Sequence, residues 1–207
     1  MKPDIALIMP IVAALLTAPL GQANAADRSK VEACAPCHGK TGISRYPEIP
    51  HIAGQQPDYL IAEMKAFRRA TDTRAPTRHW NRRREPIMDH QTLGLTDTDI
   101  DVIAAHYAAK ACVLPKTMST ATLPPLAQRC VSCHGDDGRS LIATVPHLAG
   151  QQQQYLENQL RAFRDSGGKA GMERRTRIDP IMGHQTVILN DSDVVELAAY
   201  FSARRCR

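Results

Sequence analysis

The chain has 207 residues, with 26 Lys and Arg against 21 Asp and Glu and a formal net charge of +5. Only 4% of the residues are aromatic, too few to fill a large core of their own, and beyond the amino terminus no stretch is apolar enough to span a bilayer. Removal of an amino-terminal leader would leave roughly 180 residues, a length that suits one large domain or two small ones.

That leader is read from its pattern. Met1-Lys2 is a short basic start, Ile5 to Ala18 is mostly apolar but broken by Pro10, and Ala23-Asn24-Ala25 matches a small-residue cleavage site. Residues 1–25 are therefore expected to be a secretory signal, and the mature protein periplasmic. The rival is an uncleaved anchor, for which the run is short and interrupted.

The next feature is Cys34-Ala-Pro-Cys37-His38, which returns as Cys130-Val-Ser-Cys133-His134. Cys-x-x-Cys-His is the attachment signature of c-type haem: the thiols add across the porphyrin vinyl groups, and the following histidine ligates iron from the same side. The competing reading is a four-cysteine zinc site. Zinc pairs usually lie close in sequence, whereas these are 96 residues apart and each carries a histidine. Two covalently attached haem c groups are expected. Their propionates offset the basic balance, and nucleic-acid binding is rejected despite the positive charge.

The whole order of features repeats. Pro50-His51-Ile52-Ala53-Gly54-Gln55 matches Pro146-His147-Leu148-Ala149-Gly150-Gln151, and Ala66-Phe67-Arg68 matches Ala162-Phe163-Arg164. Pro86-Ile87-Met88 and His90-Gln91-Thr92 match Pro180-Ile181-Met182 and His184-Gln185-Thr186, and Cys112 matches Cys206. The offset is 96 residues early and 94 late, so the length difference falls in an arginine-rich stretch before each Pro-Ile-Met. Residues 26–113 and 126–207 are read as two tandem domains joined by a proline-rich linker at 114–125.

Each half carries three helical patterns and no convincing alternating strand, so the fold class is all-α. The first pattern holds the haem motif near its end. The second starts near Pro57, with Leu60, Met64 and Phe67 on one face, as are Leu156, Leu160 and Phe163. The third opens at Thr96 or Asn190, good N-caps. Ile100, Ile103, Ala104 and Tyr107 then form a stripe mirrored by Val194, Leu197, Ala198 and Phe201.

Met88 and Met182 are the methionines that recur, and both follow Pro-Ile on what reads as a loop before the last helix. A thioether there is the expected second iron ligand, and Met/His ligation raises the potential of c-type haem. His51 with His147, and His90 with His184, also recur and compete for the role. Pro50 and Pro146 offer a carbonyl to the proximal histidine's free N–H, or are simply turn residues. Arg74, Arg78, Arg82, Arg83 and Arg84, with Arg174, Arg175 and Arg177, read as a solvated loop, or as partners of propionates or of an acidic protein. Cys112 and Cys206 are an even pair left over in an oxidising compartment: either an interdomain disulfide or two separate thiols.

With paired haem motifs, Ala-Gly-Gln segments and Pro-Ile-Met stretches, the chain resembles the cytochrome c4-type dihaem cytochromes over nearly all of its mature length. The resemblance implies two class I cytochrome c domains related by a pseudo-twofold axis. It implies His38 with Met88, and His134 with Met182, as iron ligands, and Cys34, Cys37, Cys130 and Cys133 as attachment points. It also implies electron transfer without substrate chemistry, between redox proteins such as a cytochrome bc1-type complex, a periplasmic dehydrogenase or a terminal oxidase, with peripheral association at membrane complexes. The alternatives are a dihaem enzyme, peroxidase or thiosulfate dehydrogenase in type, and a dedicated cytochrome subunit of a periplasmic dehydrogenase. The basic stretch, His51, His147 and the Cys112/Cys206 pair depart from that family's usual pattern.

Overall fold

The computed structural model describes residues 25–70, 82–113, 122–166 and 176–206. Most of the leader and of the linker, together with Arg74, Arg78, His79, Met118, Met172, Arg174 and Arg175, lies outside those residues. In the first repeat α1 (Ala25–Glu32) and α2 (Ala35–His38) precede a long loop and α3 (Pro57–Ala70). Strand β1 (Arg82–Arg84), α4 (Pro86–Thr92) and α5 (Asp97–Ala108) complete it. The second repeat opens with a 3-10 turn (Pro125–Ala127) that runs into α6 (Gln128–His134), then α7 (Gln153–Ser166). Strand β2 (Thr176–Ile178), α8 (Pro180–Thr186) and α9 (Asp191–Ser202) follow. Among the described residues no helix is long and apolar enough to cross a membrane.

Local chemistry explains the boundaries. Pro57 opens α3, where a missing N–H costs nothing. Thr96 and Asn190 each form a capping box, accepting from the Asp99 and Asp193 amides at 3.1 and 3.0 Å while those aspartates accept from the cap amides. The apolar faces then pack as two separate cores. Leu60, Met64, Ile100, Ile103, Ala104 and Tyr107 form one with Val31 of α1. Leu156, Val194, Leu197, Ala198 and Phe201 form the other with Ala127. Each core is small, as expected where a porphyrin supplies the remaining apolar bulk.

Three expectations need correction. The first haem motif does not end one continuous helix: α1 stops at Glu32 and the motif lies on the separate α2, opened by Pro36. Pro-Ile-Met is not a loop but the first turn of α4 and α8, because Glu85 and Asp179 cap those helices ahead of a proline tolerated there. Strands also exist. Arg83 lies opposite Arg177 in an antiparallel ribbon between the repeats, with Arg82 opposite Ile178 and Arg84 opposite Thr176. Segments of three residues carry no alternation to read, and their pairing is created by the meeting of the domains.

That meeting is polar. Gln151 accepts from the His51 N–H at 2.8 Å and donates to the His51 carbonyl at 2.8 Å. Gln55 does the same to His147, accepting at 2.9 Å and donating at 3.0 Å. Gln56 donates to the Val145 carbonyl at 2.7 Å, and its repeat mate Gln152 to Ser44 at 3.0 Å. Cys112 and Cys206 close the same surface as a disulfide, with S–S 2.07 Å and Cα–Cα 5.5 Å. Of the two readings of that pair, the interdomain bond is the one observed.

Gln151→Ala removes both bonds to His51 and the one that Gln151 Oε1 accepts from the Gln152 N–H, and strands the buried N–H and C=O of His51. It should lower holoprotein stability by about 2–3 kcal/mol in guanidinium unfolding. The exposed Gln153→Ala should change it by less than about 0.5 kcal/mol.

Candidate haem sites

Each Cys-x-x-Cys-His sits on a short helix that ends at once in a glycine of positive φ, Gly39 at 81° and Gly135 at 78°. The chain then turns back through Gly42, whose carbonyl accepts from the Ile52 and Ala53 amides at 2.8 and 3.1 Å. Gly138 does the same for Leu148 and Ala149 at 2.7 and 3.0 Å. Ser44 and Ser140 brace the loop by donating to the Cys37 and Cys133 carbonyls at 2.8 and 2.6 Å. This fold-back delivers a proline carbonyl to the histidine ring. His38 Nδ1 lies 3.0 Å from the Pro50 oxygen, and His134 Nδ1 lies 3.0 Å from the Pro146 oxygen.

A carbonyl only accepts, so Nδ1 must carry the proton in both rings, and Nε2 keeps the lone pair a metal requires. Burial pushes both imidazoles below their ordinary range. The proline bond opposes that shift, while Arg83 beside His38 and Arg177 beside His134 add to it. The rings are thus held neutral and oriented, the state in which histidine ligates iron. Of the two readings of Pro50 and Pro146, the carbonyl acceptor is the one realised.

The thiols complete the set. Cys34, Cys37, Cys130 and Cys133 are free, while the other two cysteines pair with each other. Burial, with Cys37 adding to it, pushes the Cys34 thiol up to about 11, and burial also raises that of Cys130. An open cavity lined by Ala35, Pro36, Cys37, Gly39, Ile43 and Arg45 adjoins the first motif. Among the described residues no three His, Cys, Asp or Glu side chains gather as a metal cage, so the cysteine pairs do not form a shared zinc site. The donor set fits a haem attached to each pair.

Met88 and Met182 are half-buried in the first turns of α4 and α8. Their backbones are pinned at both sides. The Met88 N–H donates to Glu85 at 3.3 Å and that of Met182 to Asp179 at 2.8 Å. Thr92 and Thr186 donate to the methionine carbonyls at 2.9 and 2.8 Å. The competing histidines are placed differently. His90 and His184 are exposed, and His51 is buried with its Nδ1 accepting from the Ser44 amide at 3.0 Å. Sequence reasoning passed over Gly42, Ser44, Glu85 and Thr92 as site residues, although the repeat already paired Gly42 with Gly138 and Ser44 with Ser140.

The cytochrome c family model matches residues 23–107 and again 125–203. The chain belongs to the cytochrome c family. It is 30% identical to a thiosulfate dehydrogenase electron acceptor of Stutzerimonas stutzeri, over 92% of this chain and 91% of that protein. It is 26% identical to cytochrome c4 of Azotobacter vinelandii, over 85% and 86%. The crystal structure of reduced recombinant cytochrome c4 from Pseudomonas stutzeri superposes with a TM-score of 0.67 at 25% identity, over 89% of this chain and all of that one. The protein is a dihaem, c4-type electron-transfer cytochrome whose two haem c groups are covalently bound.

Gly42→Ala forces a left-handed backbone on alanine and sets its Cβ 2.8 Å from the Ala53 amide. It should destabilise the first domain by about 2 kcal/mol or more and displace the His38 Nδ1 proton resonance, leaving that of His134 in place.

Proposed function

We propose that this cytochrome is a periplasmic electron carrier in which both irons hold two protein ligands. Cys34 and Cys37 attach the first haem and His38 with Met88 ligate it; Cys130 and Cys133 attach the second, ligated by His134 with Met182. Bound haem c supplies a one-electron couple whose potential methionine sulfur raises. The protein's share is to hold the imidazoles neutral, pin the methionine backbones and exclude water.

One observation carries the reading: the two sites match, down to a 3.0 Å histidine–proline bond in each. An enzyme reserves one iron for substrate and builds that half differently. Neither half is specialised in its ligand candidates. The Cys112–Cys206 disulfide and the leader-like residues 1–25 support an oxidising, exported setting.

The relative known as a thiosulfate dehydrogenase electron acceptor favours a dehydrogenase as electron donor, with delivery onward toward a terminal oxidase. The discriminating experiment mixes the oxidised protein with thiosulfate. Reduction is expected only when a thiosulfate dehydrogenase is added. Unaided turnover of thiosulfate or hydrogen peroxide would overturn the carrier reading.

Met88→Ala and Met182→Ala should each abolish half of the weak far-red band of methionine-ligated ferric haem, with haem content unchanged. A band untouched by either variant would remove that methionine from the ligand set.

A further inference from the structure

The glutamine contacts and the disulfide border a cavity of about 20 Å³ between the domains. It is lined by both copies of the His-x-Ala-Gly-Gln segment, by Cys112 and Cys206, and by Arg139. No attachment cysteine and no candidate iron ligand lines it, so it is separate from the space a haem takes. A cavity of this size admits one water-sized occupant.

Every lining residue but one belongs to a repeat pair. The exception is Arg139, which corresponds to Ile43 of the first domain. One side of the cavity therefore carries a cation where the repeat has an aliphatic side chain.

The lining is rich in donors and short of open acceptors. His51 Nδ1 accepts from the Ser44 N–H at 3.0 Å, so the neutral ring carries its proton on Nε2. Among the described residues that Nε2 meets no acceptor, and the Arg139 guanidinium has no ion-pair partner. His147 Nδ1 is buried with no hydrogen-bond partner, unlike the same nitrogen of its repeat mate His51. The glutamine oxygens are already taken twice over. Gln55 Oε1 accepts from the His147 and Gln56 amides at 2.9 and 3.0 Å. Gln151 Oε1 accepts from the His51 and Gln152 amides at 2.8 and 3.0 Å.

A buried nitrogen without a protein partner calls for a bound one, and the donor balance decides its kind. Water has two protons of its own to place, and the one open acceptor is an unprotonated His147 nitrogen. An anion of the same size accepts from every donor, gives none, and is attracted by the guanidinium. Asp137, whose Oδ1 accepts from the Arg139 N–H at 2.9 Å, opposes it, but that residue is exposed and solvent screens its charge.

We propose that this cavity is a binding site for one small inorganic anion, a halide by size, held by Arg139 with the imidazoles of His51 and His147. Both domains line the site, so the anion binds their docked arrangement and stabilises it.

Two measurements on the holoprotein test the site. Crystals soaked in bromide should show an anomalous bromine peak in the cavity, and crystals of Arg139→Ile should not. In solution, chloride replaces gluconate at constant ionic strength while the His51 and His147 ring nitrogen resonances are followed. Saturable shifts are expected, with an apparent affinity at least about tenfold weaker in Arg139→Ile. Arg139→Ile copies the first repeat; should it yield no haem-loaded protein, Arg139→Gln takes its place. A cavity holding only water, or wild-type binding in the variant, would overturn the proposal. So would a bromine peak without saturable shifts in solution, which is binding at crystal concentration only.

Discussion

Each domain is organised around a hydrogen bond between an imidazole Nδ1 and a proline carbonyl. The partner is a backbone carbonyl, which only accepts, so the bond fixes Nδ1 as the donor. The bond requires the chain to reverse within a few residues after the haem motif. That reversal calls for glycine at the two tight points, and a serine hydroxyl ties the reversed loop to the helix it has just left. Ligand orientation, loop geometry and the location of the domain interface all follow, because the segment carrying the proline also carries the His-x-Ala-Gly-Gln that faces the other half.

The interface uses glutamine where many domain contacts use apolar side chains. An amide side chain presents both a donor group and an acceptor, and a main chain running past it in extended form offers the complement. Gln55 and Gln151 thus pair with backbone rather than with side chains. The ribbon contributes the charged part. Its arginines turn inward: Arg83 donates to Tyr155 and Arg177 to Tyr59, both donate to Gln159, and they stack on Phe67 and Phe163, which removes the solvated-loop reading for Arg83 and Arg177.

Much of this was legible in the residues. Thr96 with Asp99 and Asn190 with Asp193 announce helix starts through chemistry local to three residues. Leu60, Met64 and Phe67 announce a buried face through spacing alone, and the duplication was visible as an offset. What could not be read depends on distant parts of the chain meeting. The ribbon is three residues on each side and rich in arginine, so it looked like a loop; its strands exist only as a pair. Pro86 and Pro180 looked like loop residues because proline usually ends helices. The carboxylates before them convert the same prolines into helix starts.

The Cys112–Cys206 bond has a topological consequence. The two sulfurs lie at the ends of the two final helices, so the peptide linker and the disulfide join the domains by two independent covalent routes that start from the same place in the first domain. Together they make the second domain one closed loop of chain. Cutting the backbone anywhere between the two cysteines opens that loop but separates nothing, and both breaks are needed before the halves drift apart. The pair of haem sites is in this sense a single covalent object, and a nick in the linker leaves its halves joined.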